Sequence, residues 1–285
     1  MSTLVAAREV VPVRIARPAV DARRTFPGVM RGEWIKLLSL RSTWWVLGAT
    51  VAVMTLVSFA VAMSLDSMAA DPLLAPGLAQ IHGAEIVSGG YQIGVVTIAV
   101  LGALLITGEY STGMIRSTLA AVPTRVPVLV AKAIALVALT AGVTAVSVAL
   151  SYVVTMPKLS EYGLVPALDD ARTWQVFGGT VYFLVAAALF ALGVGTILRS
   201  TAGTVTVALT VLLLLPGVLG FISLDWVESI VSYLPLPAAS AFLAANDTTS
   251  LGGDGLTASA GLLVIAAYAA VPLATAAVLL RRRDA

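Results

Sequence analysis

Six stretches of this chain are nearly free of charge and long enough to be single apolar helices: residues 44–64, 86–107, 126–154, 174–198, 202–222 and 257–280. A hydrocarbon core takes about 20 apolar residues in a helix. With no water inside it, the backbone must satisfy its own N–H and C=O groups, so runs of this kind are helical. The pattern predicts an all-α membrane protein of six transmembrane helices. The third run is longer than needed and holds Lys132 near its start. Either the helix is tilted, or its first turns stand outside the core with the lysine snorkelling. Pro216-Gly217 in the fifth run and Pro272 in the sixth mark expected kinks. Small residues recur on single faces: Gly90, Gly94 and Gly102, then Ala141, Ala145 and Ala149, then Ala187, Ala191 and Gly195. Such faces let helix backbones approach closely.

The segments between the runs differ in charge, and this sets an orientation. With both termini in the cytoplasm, that side holds fifteen of the seventeen Lys and Arg residues and five acids. The outer loops hold Lys158 and Arg172 against ten acids. An excess of Lys and Arg marks cytoplasmic loops. Residues 1–28 are Arg-rich, with Pro12, Pro18 and Pro27 interrupting any helix. They read as a flexible basic tail ahead of a single membrane domain, 29–285. The first long apolar run starts only at Trp44, so no cleaved secretory signal is expected.

Residues 29–41 are amphipathic at helical spacing. Met30, Trp34, Leu37 and Leu38 share one face, and Glu33, Lys36 and Ser39 lie away from it. Trp34, Trp44 and Trp45 suit the headgroup level. The segment reads as a helix in the inner interface, or as an extension of the first span. Within 223–256, Trp226, Ile230, Tyr233 and Leu234 also recur at helical spacing. That predicts a short amphipathic, possible re-entrant helix before the sixth span, or an interfacial loop anchored by aromatics.

Composition narrows the function classes. Of 285 residues, 59% are hydrophobic and 11% charged, and mean hydropathy is +0.99. A soluble domain is about 25% charged. An ordinary cytosolic enzyme, a disordered chain and a nucleic-acid-binding domain are thereby excluded. Cysteine is absent and His82 is the sole histidine. There is no thiolate chemistry, and no H-E-x-x-H zinc site can form. No acid lies in the middle of a span, where an ion-coupled carrier commonly needs one. Lys36, Lys132 and Lys158 are followed by Leu, Ala and Leu. The phosphate-cradling G-x-x-x-x-G-K-[ST] is therefore missing, and any ATP drive must come from another polypeptide.

The stretch after the second span, GEYSTGMIRSTLAAVPTR (108–125), puts a carboxylate at the membrane exit, then a mixed polar and apolar segment ended by Pro123. Met114, Ile115 and Leu119 suit docking on a protein surface, with Glu109, Arg116 and Arg125 pairing around them. An interfacial turn is the equal alternative from composition alone. The stretch resembles the cytoplasmic signature of type-2 ABC transporter permeases. GEWIKLLSLRSTWW (32–45) is similar to that family's amphipathic N-terminal helix, and LGVGTILRSTAG (192–203) to its loop between the fourth and fifth spans.

The resemblance implies a fold and a role. The segment after the second span would be the coupling helix, seated in a groove of an ATPase subunit. Glu109, Tyr110, Ser111, Thr112, Met114 and Arg116 would form that contact, and Arg199, Ser200 and Thr201 a smaller second one. Glu33, Trp34 and Lys36 would lie on the N-terminal helix, near the coupling helix. The chain would hold no cofactor of its own, ATP and magnesium being bound by a partner ATPase present in two copies. A second permease chain, identical or different, and membrane lipids would complete its partners, with no nucleic acid. The place would be a prokaryotic plasma membrane, and the task export of a lipophilic or amphipathic compound. Two readings of other classes stand beside it: a stand-alone secondary transporter or channel, and a permease-like sensor or scaffold.

The orientation is directly testable because the chain has no native cysteine. Thr112→Cys should be protected from an impermeant thiol reagent in intact cells, while Asp169→Cys should label. Labelling of Thr112→Cys from outside would invert the arrangement.

Overall fold

The structure is a computed structural model and describes residues 25–78, 80–114, 125–222, 224–244 and 256–282. The basic tail and most of the expected coupling helix, 115–124, lie outside the described residues. Among the described residues all regular structure is helical. Six helical stretches are long and apolar enough to cross a membrane: Arg41–Ala70, Gly83–Ser111, Val126–Glu161, Ala171–Leu198, Thr201–Leu219 and Ala258–Arg282. They fall on the six apolar runs of the sequence, in order. An amphipathic helix, Phe26–Ser39, precedes them, with Pro27 in its first turn. There the missing N–H breaks no intrahelical bond.

The fifth span departs from regular helical geometry for an identifiable reason, and the third is unusually long. In the fifth, the irregularity expected at Pro216-Gly217 takes the form of a π-helical turn, Thr210–Leu214, just upstream. Pro216 has no N–H to donate, and the chain re-forms its ladder through a wider turn in which Leu215 N–H donates to Thr210 O. The third helix, Arg125–Glu161, has 37 residues. At about 1.5 Å per residue it measures roughly 55 Å, well beyond a hydrocarbon core of about 30 Å.

The fourth span lies at the centre, packed against the second, third, fifth and sixth, while the first packs on the second and third. Its contact with the second span is close because neither side presents bulk. A Cβ built on Gly102 would stand 2.4 Å from the Ala188 carbonyl oxygen. Its contact with the sixth is equally tight, a Cβ on Gly193 falling 2.7 Å from Pro272 Cβ. The small-residue faces of the second and fourth spans thus do what their pattern predicts. The third behaves differently. Ala145 and Ala149 are exposed, and the buried face carries Thr140, Thr144, Ser147 and Ser151. Serine is nearly as small as alanine and threonine somewhat larger; Ser147 returns its hydroxyl to Val143 O at 2.8 Å, while the hydroxyls of Thr140, Thr144 and Ser151 have no hydrogen-bond partner among the described residues.

Before the sixth span the chain forms two short helices, Asp225–Val231 and Pro235–Leu243. Pro235 explains the division, since it starts a helix readily but cannot continue one. The second helix buries Ala238, Ala239, Phe242 and Leu243 against the fourth and sixth spans. Trp226, Ile230 and Tyr233 remain exposed. At this end of the bundle Lys158 pairs with Asp66 (2.6 Å) and Glu161 (2.7 Å), and His82 Nε2 lies 3.1 Å from Asp170 Oδ2.

Adding bulk at the central crossing should cost stability. Gly102→Leu is expected to lower the thermal unfolding midpoint of the detergent-solubilised protein, by an overpacking penalty of about 1–3 kcal/mol. Gly142→Ala, where an added Cβ meets nothing within 4 Å, should leave it unchanged or raise it slightly. Equal midpoints for Gly102→Leu and wild type would mean that the second and fourth spans do not meet there.

Candidate functional site

Four charged side chains from three elements converge at the opposite end of the bundle. Glu109 sits in the last turn of the second span, Lys132 in the second turn of the long third helix, and Glu33 and Lys36 one turn apart on the N-terminal helix. Lys132 Nζ lies 2.5 Å from Glu33 Oε2 and 2.7 Å from Glu109 Oε1. Lys36 Nζ lies 2.7 Å from Glu33 Oε1 and 3.1 Å from Glu109 Oε1. Lys132 is 1% exposed, Glu33 3% and Glu109 5%.

Isolated charges at this depth would be strongly disfavoured. Two ammonium groups against two carboxylates leave the group neutral and its members mutually stabilised. One acceptor, Glu109 Oε2, has no hydrogen-bond partner among the described residues. Burial works to lower the Lys36 pKa, but its hydrogen bond to Glu33 and the charge of Glu109 outweigh this and hold it above the ordinary lysine value. Its contribution to stability is therefore complete at neutral pH and is lost only as pH climbs through that raised value.

This arrangement corrects two expectations. Lys132 does not snorkel to the surface; it is buried because two carboxylates face it. Glu33 does not lie on the outward face of the N-terminal helix either. Glu33 and Leu37 are its buried residues, whereas Trp34 is exposed. Apolar spacing alone assigned Glu33 to the solvent side, since a carboxylate turns inward only when a partner waits there.

A second junction lies alongside. The fourth span ends at Arg199, whose φ of 55° is left-handed, and whose N–H donates to Gly195 O at 2.9 Å. The chain reverses in two residues, Arg199 and Ser200, and Ser200 caps the fifth span by accepting from Gly203 N–H at 3.3 Å. The reversal sets the Arg199 guanidinium over the Tyr110 ring, 5.3 Å from its centroid. Thr201 Oγ1 donates to Thr107 Oγ1 at 2.8 Å. The turn between the fourth and fifth spans is thus fastened to the last turn of the second.

Most residues singled out from the sequence are brought to this end. Glu109 and Tyr110 belong to the bundle: Glu109 is buried and Tyr110 half-buried. Ser111, Thr112, Met114 and Ser200 are exposed. Arg116 lies outside the described residues. Sequence reasoning missed the pairing of Lys132 with Glu109. A usable signal was present, since both lie about two turns or less from the same end of consecutive spans, at matching depth.

The model of the ABC-2 family transporter proteins matches residues 29–285, nearly the whole chain. The chain belongs to the ABC-2 transporter family. No curated protein matches it. As a member of that family it is a multi-pass membrane protein and the permease component of an ABC transporter, a component that works with an ABC ATPase subunit.

Breaking the ionic group one-sidedly should be worse than removing it. Lys132→Met leaves two buried carboxylates sharing the single ammonium of Lys36 and should destabilise the ABC-2 permease by about 3–5 kcal/mol. The quadruple variant Glu33→Gln, Lys36→Met, Lys132→Met, Glu109→Gln should recover most of that loss. Thermal unfolding of the purified variants decides it, and a quadruple variant no more stable than the single one would disprove the pairing.

Proposed function

We propose that this chain is the membrane half of an ATP-driven exporter, working as a dimer of permease chains above two cytosolic ATPase copies. Both termini and the ionic group face the cytoplasm in this reading. The observation that carries it is the position of the Glu33–Lys36–Glu109–Lys132 group directly behind the exposed residues 111–114. Family membership and the lack of a P-loop in the sequence support a separate motor.

The mechanical consequence follows from what is fastened to what. The segment after the second span is rooted at Glu109 and Tyr110. Glu109 is ion-paired to the N-terminal helix and the third span, and Tyr110 carries the Arg199 turn of the fourth and fifth. A displacement of 111–114 by a closing ATPase pair would move these elements together rather than bend one helix. In this reading Ser111, Thr112, Met114 and Arg116 touch the ATPase, with Ser200 and Thr201 nearby. Glu109 and Tyr110 transmit from behind that surface, and Trp34 rests in the lipid interface. The cargo would be a lipophilic or amphipathic compound moved outward from the cytoplasm or inner leaflet.

Co-expression with a candidate cytosolic ABC ATPase subunit tests the docking. Met114→Asp should cut the ATPase recovered with the purified permease by about tenfold while membrane insertion is unchanged. ATP-dependent accumulation of cargo in inverted vesicles should fall in parallel. Unchanged recovery and unchanged transport with Met114→Asp would refute this docking site, and transport without any ATPase would favour a stand-alone carrier.

A further inference from the structure

The N-terminal helix Phe26–Ser39 has two faces, and the packing of the bundle accounts for one of them. Glu33 and Leu37, one turn apart, are buried where the helix meets the third span. At 3.6 residues per turn, Arg31, Trp34, Ile35 and Leu38 follow one another at spacings of three and four along the far side. Trp34 is exposed, Ile35 is 57% exposed and Leu38 is half-buried. Arg31 stands exposed among them and makes no ion pair with any described residue. The residues that follow fix the level of this face. Leu40 alone separates the helix from the first span, Trp44 Nε1 donates to Leu38 O at 2.9 Å, and both Trp44 and Trp45 are exposed, Trp45 by 80%. Tryptophan concentrates at the boundary of membrane and water, so the outward face of the helix meets lipid headgroups.

We propose that this face binds anionic phospholipid in the leaflet at the ionic end of the bundle. Trp34, Ile35 and Leu38 enter the boundary between headgroups and acyl chains, and Arg31 takes the lipid phosphate. A zwitterionic leaflet would serve the apolar side chains equally well, so the charge pattern decides the lipid class. Arg41 is exposed at the start of the first span. In the sequence, residues 1–24 bring Arg8, Arg14, Arg17, Arg23 and Arg24 against Glu9 and Asp21. Each arginine near an anionic surface is worth about 1 kcal/mol, and a cluster of them selects for negative headgroups. A cytosolic protein is the poorer fit, because Trp44 and Trp45 set lipid, not open water, beside this helix. On the opposite face Glu33 is ion-paired to Lys132, so lipid and the ionic group hold the same helix from two sides. The inference concerns this chain alone and does not rest on the exporter reading.

A single fluorophore tests it, since the sequence has no cysteine. Gly32 is exposed and a Cβ added there meets nothing within 4 Å, so Gly32→Cys can carry a nitrobenzoxadiazole label. The full labelled chain is placed in phosphatidylcholine nanodiscs that hold a nitroxide on either phosphatidylglycerol or phosphatidylcholine, at equal mole fraction. Nitroxide-phosphatidylglycerol should quench the label more strongly, and added salt should shrink the difference, because exposed charges are screened. Arg31→Gln should lower the apparent affinity for phosphatidylglycerol about fivefold, the equivalent of about 1 kcal/mol for one arginine. Ile35→Asp should reduce quenching by both lipids. Both side chains are exposed, so neither change disturbs the packed face of the helix. Equal quenching by the two lipids, or a preference unchanged in Arg31→Gln and in salt, overturns the assignment. Quenching by neither lipid also overturns it, and leaves the face to a protein partner. No ATPase is present in the nanodisc, so the outcome is separate from that of the docking experiment.

Discussion

Lys132 is held by Glu33 and Glu109 in a place where none of the three could remain charged alone. Removing an ion from water costs several kcal/mol even after relaxation, so each of these side chains depends on the others being present. That dependence reaches across three elements distant in sequence. It fixes the N-terminal helix against the third span, and the third span against the end of the second. A neutral, mutually paired group can also move as a unit, which a hydrophobic contact of the same area would not enforce.

The centre of the bundle relies on a different principle. Within lipid there is little hydrophobic gain in bringing helices together, so close packing must do the work. Gly102 against Ala188 and Gly193 against Pro272 let the fourth span touch two neighbours at backbone distance. Pro272 stays inside a continuous helix, whereas Pro216 follows a π-helical turn. The same residue type thus gives two outcomes.

The two ends of the molecule are unlike, and the functional reading follows that division. One end has its charges internal and paired, with a short exposed segment just beyond them that suits contact with a moving partner. The other is acidic, carries short helices and surface ion pairs, and holds an open apolar cleft between the first, second and fourth spans. A permease that receives force at one end and handles cargo toward the other would use both.

Much of this was legible in the chain itself. The six spans follow from hydrophobic run length, because a backbone in lipid has almost no alternative to a helix of that length. The small-residue faces of the second and fourth spans were legible for the same reason, being periodic and local. Ala145 and Ala149 show the limit: a small face tells that close packing is possible, not that a neighbour is there. The inward turn of Glu33, the burial of Lys132 and the seat of Arg199 on Tyr110 were decided by the tertiary structure alone. Each depends on a partner many residues away in sequence, and the direction a charged side chain takes is set by that partner's position in space rather than by the spacing of its own neighbours.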